Sequence, residues 1–172
     1  TSSKCTACGE GKVRDAAGIF CSSCAPGRYR DLTATVWDLT IACKLCDVGT
    51  ASAVLKDTAC PTCAEGQYTS GAGFTACADC VAGKYLPATD LTTAVTCKMC
   101  DQGKITSSIK LTVCANCDPG QVTSGAGKSA CSDCIPGKFL ASAALGTETE
   151  CKACDQGTIT SSSKLTVCAF CD

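Results

Sequence analysis

The sequence has no histidine and is poor in the large side chains that fill a hydrophobic core. Its 172 residues include one Trp, one Met, four Phe and three Tyr. Histidine is the commonest general base and metal ligand in proteins, so its absence argues against most metal and acid–base chemistry. The shortage of large apolar side chains argues against a single globular core. No apolar run approaches the roughly 18 residues of a membrane span, so we expect no direct membrane insertion in this segment.

Other classes of function also lack their usual residues. The formal net charge is −1, and charges of both signs are scattered along the chain. A nucleic-acid partner would need a basic patch, so we expect no nucleic acid to bind. There is no paired-carboxylate arrangement and no phosphate-binding glycine loop. We therefore predict that the chain is not an enzyme and that it binds no cofactor and no metal.

Cysteine, in contrast, is abundant and regularly spaced. All 20 cysteines fall in ten C-x-x-C motifs, a content typical of disulfide scaffolds. Regular pairs of this kind imply an oxidising compartment, so the predicted location is extracellular or at the cell surface. We predict that every one of them forms a disulfide: Cys5, Cys8, Cys21, Cys24, Cys43, Cys46, Cys60, Cys63, Cys77, Cys80, Cys97, Cys100, Cys114, Cys117, Cys131, Cys134, Cys151, Cys154, Cys168 and Cys171.

A glycine follows each of the first nine motifs at a fixed distance, three residues past the second cysteine. Such a glycine suits a turn with positive φ, or a place where another backbone passes close by. An apolar or aromatic residue sits two positions further on, and we expect it to cover the disulfide. The nine predicted turn glycines are Gly11, Gly27, Gly49, Gly66, Gly83, Gly103, Gly120, Gly137 and Gly157.

The segment CKMCDQGKITSSIKLTVCANC, from Cys97 to Cys117, shows the repeating unit most clearly. Apolar and polar residues alternate from Ile109 to Val113, which predicts a strand with one covered face. No stretch offers helical periodicity without Gly, Pro or Cys. The predicted fold is a small disulfide-rich all-β repeat, an elongated solenoid or rod of tandem short β-hairpins with little regular secondary structure. In such an array each unit is expected to touch only its neighbours.

The motif spacing contains a longer period. Successive first cysteines are separated by 16, 22, 17, 17, 20, 17, 17, 20 and 17 residues, which gives a 54-residue super-repeat from Cys43 onward. Each super-repeat holds three hairpin types: type one begins CKMCDQG, type two carries a Ser-Gly-Ala-Gly turn, and type three is longer. The predicted divisions are diverged N-terminal hairpins at 1–42, super-repeats at 43–96 and 97–150, and a partial super-repeat at 151–172.

Three kinds of chemistry compete for the cysteines. Disulfides are favoured, because Cys₄ zinc sites would not require ten uniform motifs, and a redox C-x-x-C needs a βαβ context. Connectivity does not follow from sequence alone. Neighbouring motifs could pair off into five closed modules, as the even count favours. Alternatively, each motif could send one bridge back and one forward as a ladder, as the three-motif period favours. The ladder would leave one cysteine near each end free to bond another copy.

Serine and threonine cluster in turns that an extracellular repeat would expose. The sequence has one Asn, Asn116, in Asn-Cys-Asp, and hence no N-glycosylation sequon. O-glycans are therefore the predicted modification. The candidate sites are Thr106, Ser107, Ser108, Thr160, Ser161 and Ser162.

The repeated pattern C-x-x-C-x-x-G-x-[aromatic or aliphatic] resembles the cysteine-rich repeats of protist surface proteins. It is closest to the ciliate immobilisation (surface) antigens, followed by Giardia variant surface proteins. It is also similar to the cysteine-rich modules of ephrin-receptor-like and growth-factor-receptor type. The resemblance covers the whole chain through Cys and Gly. It implies a surface-coat protein, which in the ciliate antigens carries a lipid anchor.

Two functions are consistent with these features. The first is a structural extracellular protein, a cross-linked rod forming a surface coat, hair or filament. The second is a ligand-binding cysteine-rich receptor ectodomain, for which Trp37 is the candidate contact residue. Neither end of the repeat carries a polar capping unit, so we expect head-to-tail self-association into an open homo-oligomer or filament.

Overall fold

The computed structural model describes residues 8–14, 20–30, 42–55, 57–141 and 150–171. Within these ranges the protein is all-β, as predicted, and its only helical element is a single 3₁₀ turn, Ala88–Asp90. The backbone divides into two compact units. The first comprises Thr1–Ala78 and Thr89–Thr96, and the second comprises Asp79–Ala88 and Cys97–Asp172.

Sixteen strands are described, and none is longer than three residues. They form eight two-stranded antiparallel sheets, in which each odd-numbered strand pairs with the next. A further hairpin is marked only by an antiparallel bridge between Thr50 and Thr62. The strands are β1 Lys12–Arg14, β2 Cys21–Ser23, β3 Arg28–Tyr29, β4 Lys44–Leu45, β5 Gln67–Tyr68, β6 Ala78–Asp79, β7 Lys84–Tyr85, β8 Lys98–Met99, β9 Lys104–Ile105, β10 Ala115–Asn116, β11 Gln121–Val122, β12 Ser132–Asp133, β13 Lys138–Phe139, β14 Lys152–Ala153, β15 Thr158–Ile159 and β16 Ala169–Phe170.

Disulfides connect the hairpins as a ladder. Each of nine bridges joins the second cysteine of one motif to the first cysteine of the next, so the closed-module alternative is excluded. We number the nine hairpins after the bridges that close them, in chain order: Cys8–Cys21, Cys24–Cys43, Cys46–Cys60, Cys63–Cys77, Cys80–Cys97, Cys100–Cys114, Cys117–Cys131, Cys134–Cys151 and Cys154–Cys168. The prediction that every cysteine is bridged is wrong for Cys171, which is unbridged and exposed because the ladder pairs it with no described cysteine. Cys5 lies outside the described residues.

Each hairpin turns at its glycine. In hairpin 6 the amide of Lys104 donates to the Asp101 carbonyl (3.1 Å), and Gly103 at the third position of that turn has φ 82°. A positive φ at this position is the requirement of a type II turn, which glycine meets without steric cost. All nine predicted turn glycines have φ between 63° and 85°. The prediction of positive φ is therefore confirmed.

The predicted strand at Ile109–Val113 is wrong. The strand that pairs with β9 is β10, the two residues inside the next C-x-x-C motif. Lys110 adopts φ 62°, which turns the backbone sharply and ends any extended run. Ile109 and Val113 are 53% and 71% exposed. The alternating segment is thus the loop of the hairpin rather than one of its strands.

The buried interior consists of sulfur, glycine and, in hairpins 3 to 9, one small or medium side chain each. The second cysteine of most motifs is almost fully buried. The residue two places after the turn glycine, which we expected to cover the disulfide, is half-buried in most hairpins and exposed at Ile159. The fully buried residue comes one place later. We call it the inner residue, and the buried ones are Ser52, Thr69, Leu86, Thr106, Thr123, Leu140 and Thr160.

Candidate functional site: the stacked hairpin turns

Within each compact unit the hairpins are joined through their turns. The amide of a turn glycine donates to the inner residue of the following hairpin. The acceptor is a backbone carbonyl in several of these contacts: Gly27 to Ser52 at 2.7 Å, Gly83 to Thr106 at 3.0 Å and Gly120 to Leu140 at 3.3 Å. These amides sit in buried turns, where an unpaired donor would be costly. The inner residue therefore satisfies a group that its own hairpin does not contain.

In type-two hairpins the acceptor is a side-chain hydroxyl. Thr69 Oγ1 accepts from the Gly49 amide at 2.8 Å, and Thr123 Oγ1 accepts from the Gly103 amide at 2.7 Å. Both threonines are only 1% exposed. Burying a hydroxyl is tolerated here because it has a partner.

In type-one hairpins the hydroxyl acts mainly as a donor. Thr106 Oγ1 donates to the Lys84 carbonyl at 3.2 Å, while the Thr106 carbonyl accepts from Gly83. Thr160 combines both modes, because its Oγ1 accepts from the Gly137 amide at 2.6 Å and donates to the Lys138 carbonyl at 3.4 Å. The hydroxyl of the inner residue can therefore accept, donate or do both, even between two hairpins of the same type.

A second contact joins the loop of one hairpin to the preceding bridge. A loop residue with positive φ donates its amide to the carbonyl of the second cysteine that opens the preceding hairpin. We call it the crown residue. The pairs are Gly73 to Cys46 (2.7 Å), Lys110 to Cys80 (2.9 Å), Gly127 to Cys100 (2.7 Å) and Lys164 to Cys134 (2.9 Å). The crown residue is glycine in type-two hairpins and lysine in the type-one hairpins 6 and 9.

The two crown lysines hold the left-handed conformation without the freedom of glycine. Each also forms an ion pair at 3.4 Å, Lys110 with Asp79 and Lys164 with Asp118. The partner lies two hairpins back in both cases. These pairs are largely exposed, so their contribution to stability is small. The two lysines are 54 residues apart, whereas their acidic partners are not, so the crown position is repeated and its ion-pair partner is not.

Hairpins also meet their next-but-one neighbours at the turn glycines. A β-carbon on Gly27 would lie 2.2 Å from the Gly73 carbonyl oxygen, and one on Gly120 would lie 2.4 Å from that of Lys164. Gly49 and Gly83 are covered in the same way. The prediction that each unit touches only its immediate neighbours is therefore wrong. Close approach of a second backbone is an additional reason for glycine at these positions, besides φ.

The strand inside eight of the described C-x-x-C motifs limits what their cysteines can do. Residues i and i+3 of an extended strand point to opposite faces, and three residues span about 10 Å. A disulfide needs Cα atoms within about 7 Å, so the two cysteines of one motif cannot bridge each other. This geometry disfavours the redox alternative. The disulfide interpretation is confirmed for 18 cysteines, whose sulfurs are thereby unavailable as zinc-binding thiolates.

An open groove of about 480 Å³ lies in the second compact unit. Val122 and Ile135 supply its apolar lining, and Asp133, Lys138 and Glu150 supply its charges. The Asp133 carboxylate accepts a hydrogen bond of 2.6 Å from Gln121. The groove combines apolar and charged side chains in one concavity. It is the natural candidate for any bound ligand.

The structure separates the predicted glycosylation sites into two groups. Ser107, Ser108, Ser161 and Ser162 are exposed. Thr106 and Thr160 are 1% and 2% exposed, and their hydroxyls take part in hairpin stacking. A sugar on either hydroxyl would require the stack to open, so the structure removes these two from the candidates. Trp37, the candidate receptor contact, lies outside the described residues.

No protein-family model and no curated protein matches this chain. Its nine disulfides indicate a secreted or extracellular protein. Among the described residues, no helix is long and apolar enough to cross a bilayer.

Sequence reasoning missed the inner residue, although a signal was present. Ser52, Thr106 and Thr160 are separated by 54 residues, as are Thr69 and Thr123, and Leu86 and Leu140. All of them lie three residues after a turn glycine. These residues keep the same spacing and a small or medium size, although their polarity changes. Such a pattern is typical of a buried position that forms a hydrogen bond with one backbone group.

Proposed function

We propose that this chain is a structural extracellular protein, a disulfide-cross-linked repeat that forms part of a surface coat, hair or filament. The observation that carries the proposal is the uniformity of the hairpin junctions. From hairpin 3 onward the same bridge, turn glycine and buried inner residue recur in the described chain, and within each compact unit their contacts join one hairpin to the next. The geometry serves the continuity of the array, which favours a structural role over a catalytic one.

Self-association is part of this proposal. In hairpin 8, the Gly137 amide and the Cys134 carbonyl are both bonded to hairpin 9. The equivalent groups of hairpin 9, the Gly157 amide and the Cys154 carbonyl, have no bonded partner among the described residues. A further hairpin stacked on hairpin 9 would satisfy these groups, and head-to-tail stacking of copies is a heterologous contact of the kind that builds open assemblies.

Cys171 could make such an assembly covalent. Its thiol is exposed, and its amide bonds the Gly157 carbonyl at 3.0 Å, as in the bridged equivalents. Two thiols from two chains would form one disulfide as they lose two protons, and a small-molecule disulfide such as oxidised glutathione would take up the two electrons.

Sedimentation and electron microscopy of the oxidised, purified chain test the proposal. We expect particle mass to rise with concentration and open assemblies to be visible in stained fields. Cys171→Ser should leave stacking intact and remove only the species that resist detergent without reductant. A single monomeric species at all concentrations would contradict self-association.

Exposed serines offer a further part of the proposal, O-glycosylation at Ser107, Ser108, Ser161 and Ser162. Native material should then exceed the 17.3 kDa of the polypeptide. Glycopeptide mapping should place sugars on these serines and leave Thr106 and Thr160 bare. Sugars found on the two threonines instead would contradict the placement.

The alternative function is a ligand-binding receptor ectodomain, and the open groove is the observation that favours it. Ile135 is 61% exposed in the groove. A receptor role predicts saturable binding on arrays of extracellular peptides or glycans, which Ile135→Asp abolishes. Ile109→Asp, at a comparably exposed position (53%) that does not line the groove, is the matched control. Equal binding by both variants would contradict a role for the groove.

A further inference from the structure

The ladder provides a second covalent route along the chain, shorter than the backbone. From Cys8 the route crosses the bridge to Cys21, follows the backbone to Cys24, and crosses the next bridge to Cys43. It continues in this way to Cys168 and then along the backbone to Cys171. Every hairpin loop, between 13 and 19 residues of sequence separation, is bypassed.

The two routes differ greatly in length. Each bridge spans 5.6–5.8 Å between Cα atoms. Each connecting segment within a motif adds three residues at about 3.5 Å. Nine of each give a limit of about 150 Å between Cys8 and Cys171, whereas the 163 backbone steps would reach about 570 Å. The oxidised chain can therefore be drawn out to only about a quarter of the length of the reduced chain.

We propose that the ladder makes this protein a tether of limited extension, in which hairpins part under tension and stack again when tension is released. This goes beyond a structural role and does not require the chain to assemble. Once the chain is taut, tension is carried by the bridges and the short segments within the motifs, because they form the shorter path. The hairpin loops are not part of that path.

The contacts between hairpins are arranged to open first. The bonds from Gly137 to Thr160 and from Lys164 to Cys134 connect hairpins 8 and 9 in parallel with the covalent path. They must break before the path becomes taut. The bond from the Cys171 amide to the Gly157 carbonyl closes hairpin 9 on itself. Because each loop remains closed by its own bridge, the partners stay close to their original register and can reform.

Single-molecule stretching of the oxidised chain with alkylated free thiols tests the inference. We expect repeated extension and relaxation with no lasting change, up to about 150 Å between Cys8 and Cys171. Adding dithiothreitol under constant tension should then release one loop at a time. Bridges of separation 14 should give steps of about 43 Å, and those of separation 17 steps of about 54 Å, at full extension.

Two double variants provide a matched pair without reductant. Replacing Cys117 and Cys131 by serine should lengthen the limit by about 43 Å, and replacing Cys134 and Cys151 should lengthen it by about 54 Å. Steps of one uniform size would contradict the proposal that tension runs through the bridges. So would an oxidised chain that extends well past its limit. Hairpins that do not stack again after a pull below the limit would contradict the proposal of a reversible tether. If a double variant does not fold, the reduction steps of the parent chain decide the question.

Discussion

Hairpins 7 and 8 are neighbours with different inner residues, Thr123 and Leu140. Both residues are almost fully buried, at 1% and 2% exposure, and both accept a bond from the preceding turn glycine. Thr123 accepts with its hydroxyl at 2.7 Å, whereas Leu140 accepts with its backbone carbonyl at 3.3 Å. The difference shows that the position demands burial and one acceptor, and that either the side chain or the backbone can provide the acceptor.

The comparison extends to the other described hairpins. The turn-glycine amide is accepted by the hydroxyl of Thr123, by the carbonyl of Thr106 beside a donating hydroxyl, and by the carbonyl of Leu140 beside an aliphatic side chain. The same amide is thus satisfied in different ways, and in each case the buried polar group has a partner.

The largest expected effect is the loss of a disulfide, and we expect it to be similar in hairpins 7 and 8. Replacing the bridge of hairpin 7 (Cys117 and Cys131) or of hairpin 8 (Cys134 and Cys151) with serines should each cost about 3 kcal/mol. Loop separations of 14 and 17 differ too little to separate the two by more than a few tenths of a kcal/mol. Urea unfolding followed by circular dichroism measures both. A difference above about 1 kcal/mol between the two variants would show that hairpins 7 and 8 are distinguished by their bridges rather than by their inner residues.

Removal of the leucine side chain comes next. Leu140→Ala should lower the free energy of unfolding by about 3 kcal/mol, because a buried aliphatic side chain is lost and a cavity is left. Ile135→Ala, at an exposed position, should change stability by less than about 0.5 kcal/mol. Equal losses in the two variants would contradict the assignment of Leu140 to the interior.

The next-but-one contact can be isolated with two glycines. Gly120→Ala places a β-carbon 2.4 Å from the Lys164 carbonyl oxygen, whereas a β-carbon on Gly157 meets nothing within 4 Å. Both variants suffer the strain of an L-residue at positive φ, about 1–2 kcal/mol. Gly120→Ala should cost about 2 kcal/mol more, since backbone must move. Identical unfolding curves for the two variants would rule out the covering contact.

The Gly103 amide depends on the Thr123 hydroxyl for its hydrogen bond, whereas the Gly83 amide does not depend on the Thr106 hydroxyl. Thr123→Val removes the one acceptor that the described residues offer the Gly103 amide and should cost about 2 kcal/mol. Thr106→Val leaves Gly83 bonded to the Thr106 carbonyl and should cost about 1 kcal/mol. Hydrogen exchange resolves the two sites: the Gly103 amide should exchange faster in the first variant, and the Gly83 amide should be unchanged in the second. Accelerated exchange at Gly83 would contradict the pattern.

The smallest effect concerns the crown of hairpin 9. Lys164→Gly relieves a positive φ of 62° but removes the ion pair with Asp118, whose side chain is 72% exposed. Strain relief should exceed the pair, so stability should rise by about 0.5 kcal/mol. Asp118→Asn removes the pair alone and should change stability by less than about 0.5 kcal/mol. A clear loss of stability in Lys164→Gly would show that the lysine has another structural role.

Much of the fold could be read from cysteine and glycine alone. The nine turn glycines could be predicted because each stands at the same distance from a C-x-x-C motif, and because a turn with positive φ favours glycine. The ladder could not be chosen over closed modules, because pairing depends on which cysteines meet in space and both schemes satisfy the same spacing. The Ile109–Val113 loop was misassigned because period-two alternation reports side-chain polarity and does not report the φ of Lys110.

The inner residue was missed for a related reason. Its role depends on a backbone amide in the preceding hairpin, and nothing in the local sequence marks that amide as needing an acceptor. Thr106 illustrates the consequence, because composition suggested an exposed turn where the structure has a buried hydroxyl. The turn glycines were predictable from sequence, whereas the hydrogen bonds between hairpins were not.

The carbonyl of Lys164 above Gly120 has a consequence for how the array folds. In a nearest-neighbour repeat, each added unit contributes the same interface, and two units already contain it. Here three consecutive hairpins are needed before the first such covering contact exists, so the earliest stages gain less than the later ones. Folding is then expected to have a costly nucleus of three hairpins followed by favourable growth. A defect in one turn should weaken hydrogen-exchange protection as far as two hairpins away.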